Sequence, residues 1–124
     1  MQCYSAVGAS LGRLRQDVRA LADEAGAGGR SPQIAQAASE AAANAIVHGY
    51  DGGDAGRQVE VALTHGSGGI ELTVGDRGAG FRPTRDSPGL GVGLALIAQL
   101  ADELELRDRR GGGIEVWMRF AVAG

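Results

Sequence analysis

The feature that most restricts the fold is a pair of alternating segments joined by a run of glycines. Residues 57–64 alternate between apolar and polar side chains, and residues 70–74 repeat the alternation. Such alternation is typical of half-buried strands. Residues 66–69 between them read Gly-Ser-Gly-Gly, and glycine supplies the backbone conformations that tight hairpin turns require. The sequence therefore predicts an antiparallel strand pair.

Apolar residues at helical spacing predict helices on both sides of this pair. Residues 11–22 form an amphipathic pattern, and residues 32–48 form an alanine-rich one that ends before Gly49. A third helix and two further strands follow the pair, at 92–101, from 104 and at 114–122. Residues 1–9 fit either a short strand or an unanchored terminus. Strand pairs joined by short turns favour an α+β two-layer sandwich, with a mixed, mostly antiparallel sheet and helices on one face.

Composition bounds the class of protein. The chain has 124 residues and a formal net charge of −3. This length predicts one domain over residues 1–124, and the charge argues against direct nucleic-acid binding, which usually requires a basic patch. We see neither an apolar run of transmembrane length nor a signal-like N-terminus, so we expect no membrane association. Cys3 is the only cysteine and forms no intrachain disulfide, which is typical of the cytoplasm.

Three polar side chains lie four residues apart in the second predicted helix. Glu40, Asn44 and His48 would share one helical face, because residues four apart stack above each other. A solvated polar stripe explains this pattern if the helix is considered alone. A functional interpretation needs a second element that points to the same place.

Such an element is the segment that follows the predicted strand pair. Asp76 ends the second strand and is followed by Gly78 and Gly80. The carboxylate of Asp76 can accept a hydrogen bond from an exocyclic amine, and the glycines allow backbone to lie against a flat ligand. An ordinary turn uses the same residue types, so both interpretations stand for this motif alone.

A third motif is the glycine run that leads into the last predicted helix. Gly89, Gly91 and Gly93 alternate with apolar residues, and Leu94 follows them. The N–H groups at a helix N-terminus bind anions, most often phosphate; a flexible loop before the helix is the alternative. A Rossmann fingerprint requires its glycines directly after a strand, and a P-loop requires Gly-Lys-Ser/Thr. Neither pattern fits this segment.

In their order and spacing, the three motifs resemble the N, G1 and G2 boxes of the GHKL ATP-binding superfamily, which has the Bergerat fold. The resemblance covers about residues 10–122. Within the superfamily, the chain is most similar to the bacterial anti-sigma-factor serine/threonine kinases. Their N box resembles Ser39 to Tyr50, their first helix resembles Leu14-Arg15-x-x-Val18, and the segment after their G2 helix resembles Asp102-Glu103.

This resemblance implies a role for each motif. Glu40 would be the general base towards a substrate hydroxyl, and Asn44 would bind Mg²⁺ through its side-chain oxygen. Asp76 would recognise the adenine of ATP. We expect His48 and Tyr50 to contribute helix-end packing rather than chemistry. Further residues would surround the nucleotide: Gly78 and Gly80 beneath the base, and Gly89, Gly91, Gly93 and Leu94 at the lid hinge and the phosphate-binding helix start.

Some features depart from the family pattern. Many relatives carry a threonine in the last strand that supports the adenine-binding aspartate. Ile114 stands at the matching place, which implies that this support is missing or supplied by water. The glycine run is extended and resembles that of switch-kinase relatives. Residues 82–88 are short for an ATP lid and no phosphoacceptor hairpin is visible, so we expect neither a gyrase-like machine nor a histidine kinase.

The resemblance implies a cytoplasmic, Mg-ATP-dependent protein serine/threonine kinase. Its substrate would be an anti-anti-sigma partner of the STAS type, and in another state it would hold a sigma factor. Relatives often form homodimers. The alternative function is a nucleotide-gated partner-binding module that uses ATP to choose a partner without phosphorylating it. A glycine-rich α+β protein that binds no nucleotide is the third interpretation.

Overall fold

The computed structural model describes residues 2–49, 54–66, 68–76, 90–109 and 113–122. A π-helical segment, Ala45–Gly49, follows the second α-helix. None of the described helices is both long and apolar enough to cross a bilayer. The regular elements, in chain order, are β1 (Gln2–Ala6), α1 (Leu11–Glu24), α2 (Ser31–Asn44), β2 (Asp54–Gly66), β3 (Gly69–Asp76), α3 (Leu90–Leu100), β4 (Glu103–Asp108) and β5 (Ile114–Ala121).

The strands form a five-stranded sheet in the order β1-β2-β3-β5-β4. Each pairing of the described strands is antiparallel, which confirms the predicted α+β class and makes the sheet more regular than the mixed one expected. The predicted hairpin joins β2 to β3, with Gly66 opposite Gly69. Gly68 in its turn has a φ of 74°, which glycine adopts without steric cost. The N-terminal segment is an edge strand, β1.

The core lies between one face of this sheet and the helices. On β3, Ile70, Leu72 and Val74 are buried, because alternate residues of a strand point to the same face. Helix α2 packs against α1, α3 and β3 and is therefore buried on several sides. Its small side chains allow this close approach; the buried alanines are Ala35, Ala37, Ala38, Ala41 and Ala42.

One arginine joins the start of α2 to the far end of the sheet. Arg30 Nη1 lies 2.6 Å from Asp102 Oδ2 and donates a 2.7 Å hydrogen bond to the carbonyl of Ala121. Its Nη2 donates to the carbonyl of Leu100 at 3.0 Å, and its guanidinium lies 5.3 Å from the centroid of the Phe120 ring. The Asp102-Glu103 segment noted in the sequence therefore has a structural task in this fold.

Helix α3 begins earlier than the sequence predicts. Its first residue is Leu90, whereas the apolar pattern indicated a start at Val92. Gly91 consequently belongs to the helix rather than to a loop before it. Periodicity underestimates a helix at this end because glycine adds no apolar side chain to the pattern.

Candidate functional site

The C-terminal end of α2 presents two of the predicted site residues. Glu40 and Asn44 are both partly exposed, one helical turn apart. The Asn44 Nδ2 atom is nevertheless buried and has no hydrogen-bond partner among the described residues. Buried polar side-chain atoms in folded proteins nearly always have a partner, so this amide nitrogen can donate a hydrogen bond to an acceptor on a bound ligand.

The helix changes its geometry directly after Asn44. The α-helix ends at Asn44 and a π-helical segment runs from Ala45 to Gly49. Spacing of four residues aligns side chains in an α-helix, but a π-helix bonds residue i to i+5. The predicted line of three polar groups therefore does not extend with α-helical geometry from Asn44 to His48, whose side chain lies outside the described part. Single π-turns inside helices occur frequently at functional sites.

Asp76 is the second predicted recognition residue, and it lies at the end of β3. It is 5% exposed. Its Oδ2 accepts a long hydrogen bond of 3.4 Å from the backbone N–H of Ile114. Position 114 therefore lies beside the carboxylate, as the resemblance implies, and the contact that it makes comes from its main chain and not from a side-chain hydroxyl.

The fold brings the end of α2 and strand β3 together. Helix α2 packs on β3, and the π-helical segment after Asn44 contacts β2 and β3. Asn44 is therefore followed directly by a segment, Ala45–Gly49, that contacts β3, the strand that ends at Asp76.

Helix α3 packs against α2 as well. Its first turn includes Gly91, and Leu94 is partly buried against the core. The first N–H groups of an α-helix have no partner within the helix, which suits them to anion binding. Gly78, Gly80 and Gly89, three further predicted site residues, lie outside the described residues.

Glu40 has different surroundings from Asn44. It lines a groove of about 470 Å³ between α1 and α2. On its wall, Arg15 Nη1 donates a 3.0 Å hydrogen bond to the hydroxyl of Ser39. Neither Asn44 nor Asp76 is among the described residues that line this groove. Its lining residues are Gly12, Arg15, Gln16, Arg19, Pro32, Ala35, Gln36, Ser39 and Glu40.

The donors at this site fit a magnesium nucleotide. Within the described ranges, no group of three His, Cys, Asp or Glu side chains could hold a metal ion by itself. Mg²⁺ is commonly bound by few protein oxygens together with phosphates and waters, and the side-chain oxygen of Asn44 is of the type that would serve as one of them. A buried carboxylate at Asp76 suits an amine donor on a base.

Comparison with known proteins identifies the family. The profile of the histidine kinase-like ATPase domain matches residues 4–120, and the chain belongs to this family. No curated protein sequence matches significantly. Among solved structures, the chain is similar to the RsbU and RsbW domains of Rv1364c from Mycobacterium tuberculosis, with 25% identity and a TM-score of 0.66. The match covers 98% of this chain but only 33% of that one.

The family confirms the predicted superfamily, and an ATPase domain implies ATP binding. Sequence reasoning missed one part of the site, namely the residues behind Asp76. Arg109 Nη1 donates a 2.9 Å hydrogen bond to the backbone carbonyl of Asp76. The sequence indicated only a turn at Arg109, because nothing in its neighbourhood points to a residue 33 positions away.

Proposed function

We propose that the chain is an Mg-ATP-dependent protein serine/threonine kinase of the anti-sigma type. Membership of the histidine kinase-like ATPase family supports the ATP-dependent part. The finer assignment is supported by one arrangement above all. Glu40 lines an open groove one turn before Asn44, whose buried amide has no partner among the described residues.

Each site residue has a distinct task in this proposal. Asn44 holds Mg²⁺ through its side-chain oxygen, and Asp76 accepts a hydrogen bond from the exocyclic amine of adenine. The substrate hydroxyl oxygen bonds to the γ-phosphorus of ATP, and ADP leaves. Glu40 accepts the proton of the substrate hydroxyl as general base, and its open groove gives a protein partner access to it. The remaining site residues provide backbone around the base and the phosphates: Gly78, Gly80, Gly89, Gly91, Gly93 and Leu94.

The proposed substrate is an anti-anti-sigma protein of the STAS type, and a sigma factor is bound in an alternative state. The similar structure contains domains named RsbU and RsbW, which supports a regulatory setting of this kind. We further propose that residues 1–124 form one ATP-binding domain, that it acts in the cytoplasm, and that it can form a homodimer like many relatives.

Replacement of the base tests the proposal. Purified chain is incubated with γ-labelled Mg-ATP and small partner proteins encoded beside it, and phosphoprotein is measured. Glu40→Gln should lower the rate of transfer by roughly 10²–10⁴-fold, the usual contribution of a general base, with ATP affinity unchanged. Gln36→Ala is the matched control, because Gln36 lines the same groove one turn earlier and carries no base. Undiminished transfer by Glu40→Gln would show that another group is the base.

A second function is favoured by the position of Glu40 in the groove between α1 and α2. Because Glu40 lines the α1–α2 groove without Asn44 or Asp76, nucleotide binding and partner contact could be coupled without phosphoryl transfer. The chain would then be a nucleotide-gated binding module. Partner capture that depends on Mg-ATP but yields no phosphoprotein would establish this function instead.

A further inference from the structure

A cluster of charged residues lies on the sheet face opposite the helices, behind Asp76. Arg109 Nη2 is 2.9 Å from Glu60 Oε1, and its Nε is 3.6 Å from Glu115 Oε1. Glu60 is only 6% exposed. Arg109 therefore lies between two carboxylates from β2 and β5, which hold its guanidinium across strand β3.

The same guanidinium contacts the end of β3 directly. Its Nη1 donates to the carbonyl oxygen of Asp76 at 2.9 Å. A Cβ placed on Gly75 would lie 2.8 Å from Nη1 and 2.9 Å from Cζ, so the guanidinium packs on the backbone where Gly75 has no side chain. The glycine immediately before Asp76 thus leaves room for Arg109.

From this geometry we infer that Arg109 is a positioning residue for nucleotide recognition. Gly75 and Asp76 are neighbours, so their side-chain positions point to opposite faces of the sheet. Arg109 binds the main-chain carbonyl of Asp76 from the outer face of the sheet. It thereby fixes the Asp76 carboxylate on the helix face and does not itself contact the nucleotide. The inference rests on the proposed function, because it takes Asp76 as the group that selects adenine.

Fixing this carboxylate should matter most for base selectivity. The Asp76 carboxylate also accepts a 3.4 Å contact from the Ile114 N–H, which is longer than an ordinary N–H···O bond. A carboxylate held in place accepts a hydrogen bond from the amine of adenine, whereas guanine presents a carbonyl oxygen at that position. A site built to hydrogen-bond one group rejects the analogue that lacks it, and a loosened carboxylate rejects it less well.

The test compares Arg109→Ala with Arg107→Ala. Both arginines come from the same part of the chain, but Arg107 binds Glu105 at 2.7 Å and lies 4.4 Å from the Trp117 ring centroid. Affinities for Mg-ATP and Mg-GTP are measured by calorimetry on the whole chain. We expect Arg109→Ala to reduce the ratio of ATP affinity to GTP affinity about tenfold, which corresponds to the free energy of about one hydrogen bond. Arg107→Ala should leave this ratio unchanged.

Two milder variants keep the inference testable if Arg109→Ala does not fold. Arg109→Lys keeps a positive charge beside Glu60 but lacks the fork that reaches two acceptors at once, so its selectivity should be intermediate. Gly75→Ala keeps every charged group and displaces only the guanidinium, and it should lower selectivity in the same direction. Equal weakening of ATP and GTP binding in these variants would mean that Arg109 is merely structural, and would overturn the inference.

A second measurement does not depend on nucleotide. In the nucleotide-free protein, hydrogen exchange at the Ile114 amide should accelerate several-fold in Arg109→Ala and stay unchanged in Arg107→Ala. Unchanged exchange in both variants would overturn the inference even if ATP binds. If the unaltered chain bound no nucleotide, the proposed function would fail, and the exchange result would still decide whether Arg109 positions Asp76.

Discussion

The two ends of helix α2 use polar groups in opposite ways. At its start, Arg30 makes contacts with Asp102, the Ala121 carbonyl and the Leu100 carbonyl, all at 3.0 Å or less. At its end, Asn44 keeps a buried amide nitrogen without a partner among the described residues. The polar groups at the first end are hydrogen-bonded within the protein. At the second end, the amide nitrogen of Asn44 can still donate a hydrogen bond to a ligand.

This difference predicts that the start of α2 contributes to stability and that its end contributes to ligand binding. A buried polar atom without a partner costs about 1–3 kcal/mol, a cost that binding of a polar ligand would remove. A satisfied cluster such as that of Arg30 offers a ligand nothing. Variants at the start of α2 should therefore change the free energy of unfolding, and variants at Asn44 should change nucleotide affinity.

Of the variants at the two ends of α2, Asn44→Leu should have the largest effect. Without the side-chain oxygen for Mg²⁺, the affinity for Mg-ATP should fall about a hundredfold, or about 2.7 kcal/mol. The free energy of unfolding of the nucleotide-free protein should rise by about 1 kcal/mol, because an unpartnered polar atom is replaced by an apolar group of similar size. Calorimetric titration and urea denaturation measure the two quantities.

Asn44→Asp is the control for this variant, since it keeps an oxygen ligand in the same place and should retain Mg-dependent binding. Chelation of Mg²⁺ should weaken ATP binding by the unaltered chain and have almost no effect on Asn44→Leu. An equal response to chelation in both would contradict the assignment of Asn44 as metal ligand.

The next effect is expected at the opposite end of the helix. Arg30→Met keeps much of the aliphatic stem but loses the contacts to Asp102 and the two carbonyls, so the free energy of unfolding should fall by about 2 kcal/mol. Arg13→Met is the matched control, because Arg13 is 82% exposed and its pair with Asp17 spans 3.9 Å. Mg-ATP affinity should stay the same in both. A drop like that of Asn44→Leu would show that the two ends are coupled.

The smallest effect is a pH dependence that centres on Asp102. The hydrogen bond from Arg30, followed by that from the Ala121 N–H, lowers the pKa of this carboxyl. Its stabilisation is therefore complete above the unfolded pKa of about 3.9 and is lost as the pH falls through the lower folded value. Because the side chain is 45% exposed, solvent limits the contribution to about 0.5–1 kcal/mol.

Denaturation of the unaltered chain and of Asp102→Asn at pH 7 and in the acid range tests this dependence. The difference between the two should be present at pH 7 and shrink as the pH falls below about 4. A difference that stays constant across this range would mean that the charge of Asp102 contributes nothing and only its hydrogen bond to Ala121 matters.

The sequence predicted the elements of this fold well because their signals are local. Alternation and a glycine turn define β2 and β3, and alanine-rich periodicity defines α2. The family followed from three motifs whose order along the chain is itself a signal. By contrast, the π-helical segment after Asn44 has no periodicity that distinguishes it from a continued α-helix, so the expected alignment with His48 could not be checked before the backbone was known.

The sequence by itself determined which residue types form the candidate site, namely Glu40, Asn44, Asp76 and the glycines of the two later motifs. Only the tertiary structure decided what surrounds them. Asp76 is supported by the Ile114 main chain and held by Arg109, which lie 38 and 33 positions away. Such contacts depend on strands β3 and β5 being neighbours in the sheet, and a main-chain donor leaves no trace in side-chain identity. Hydrogen bonds between distant segments are set by how layers pack, and local sequence patterns do not record that packing.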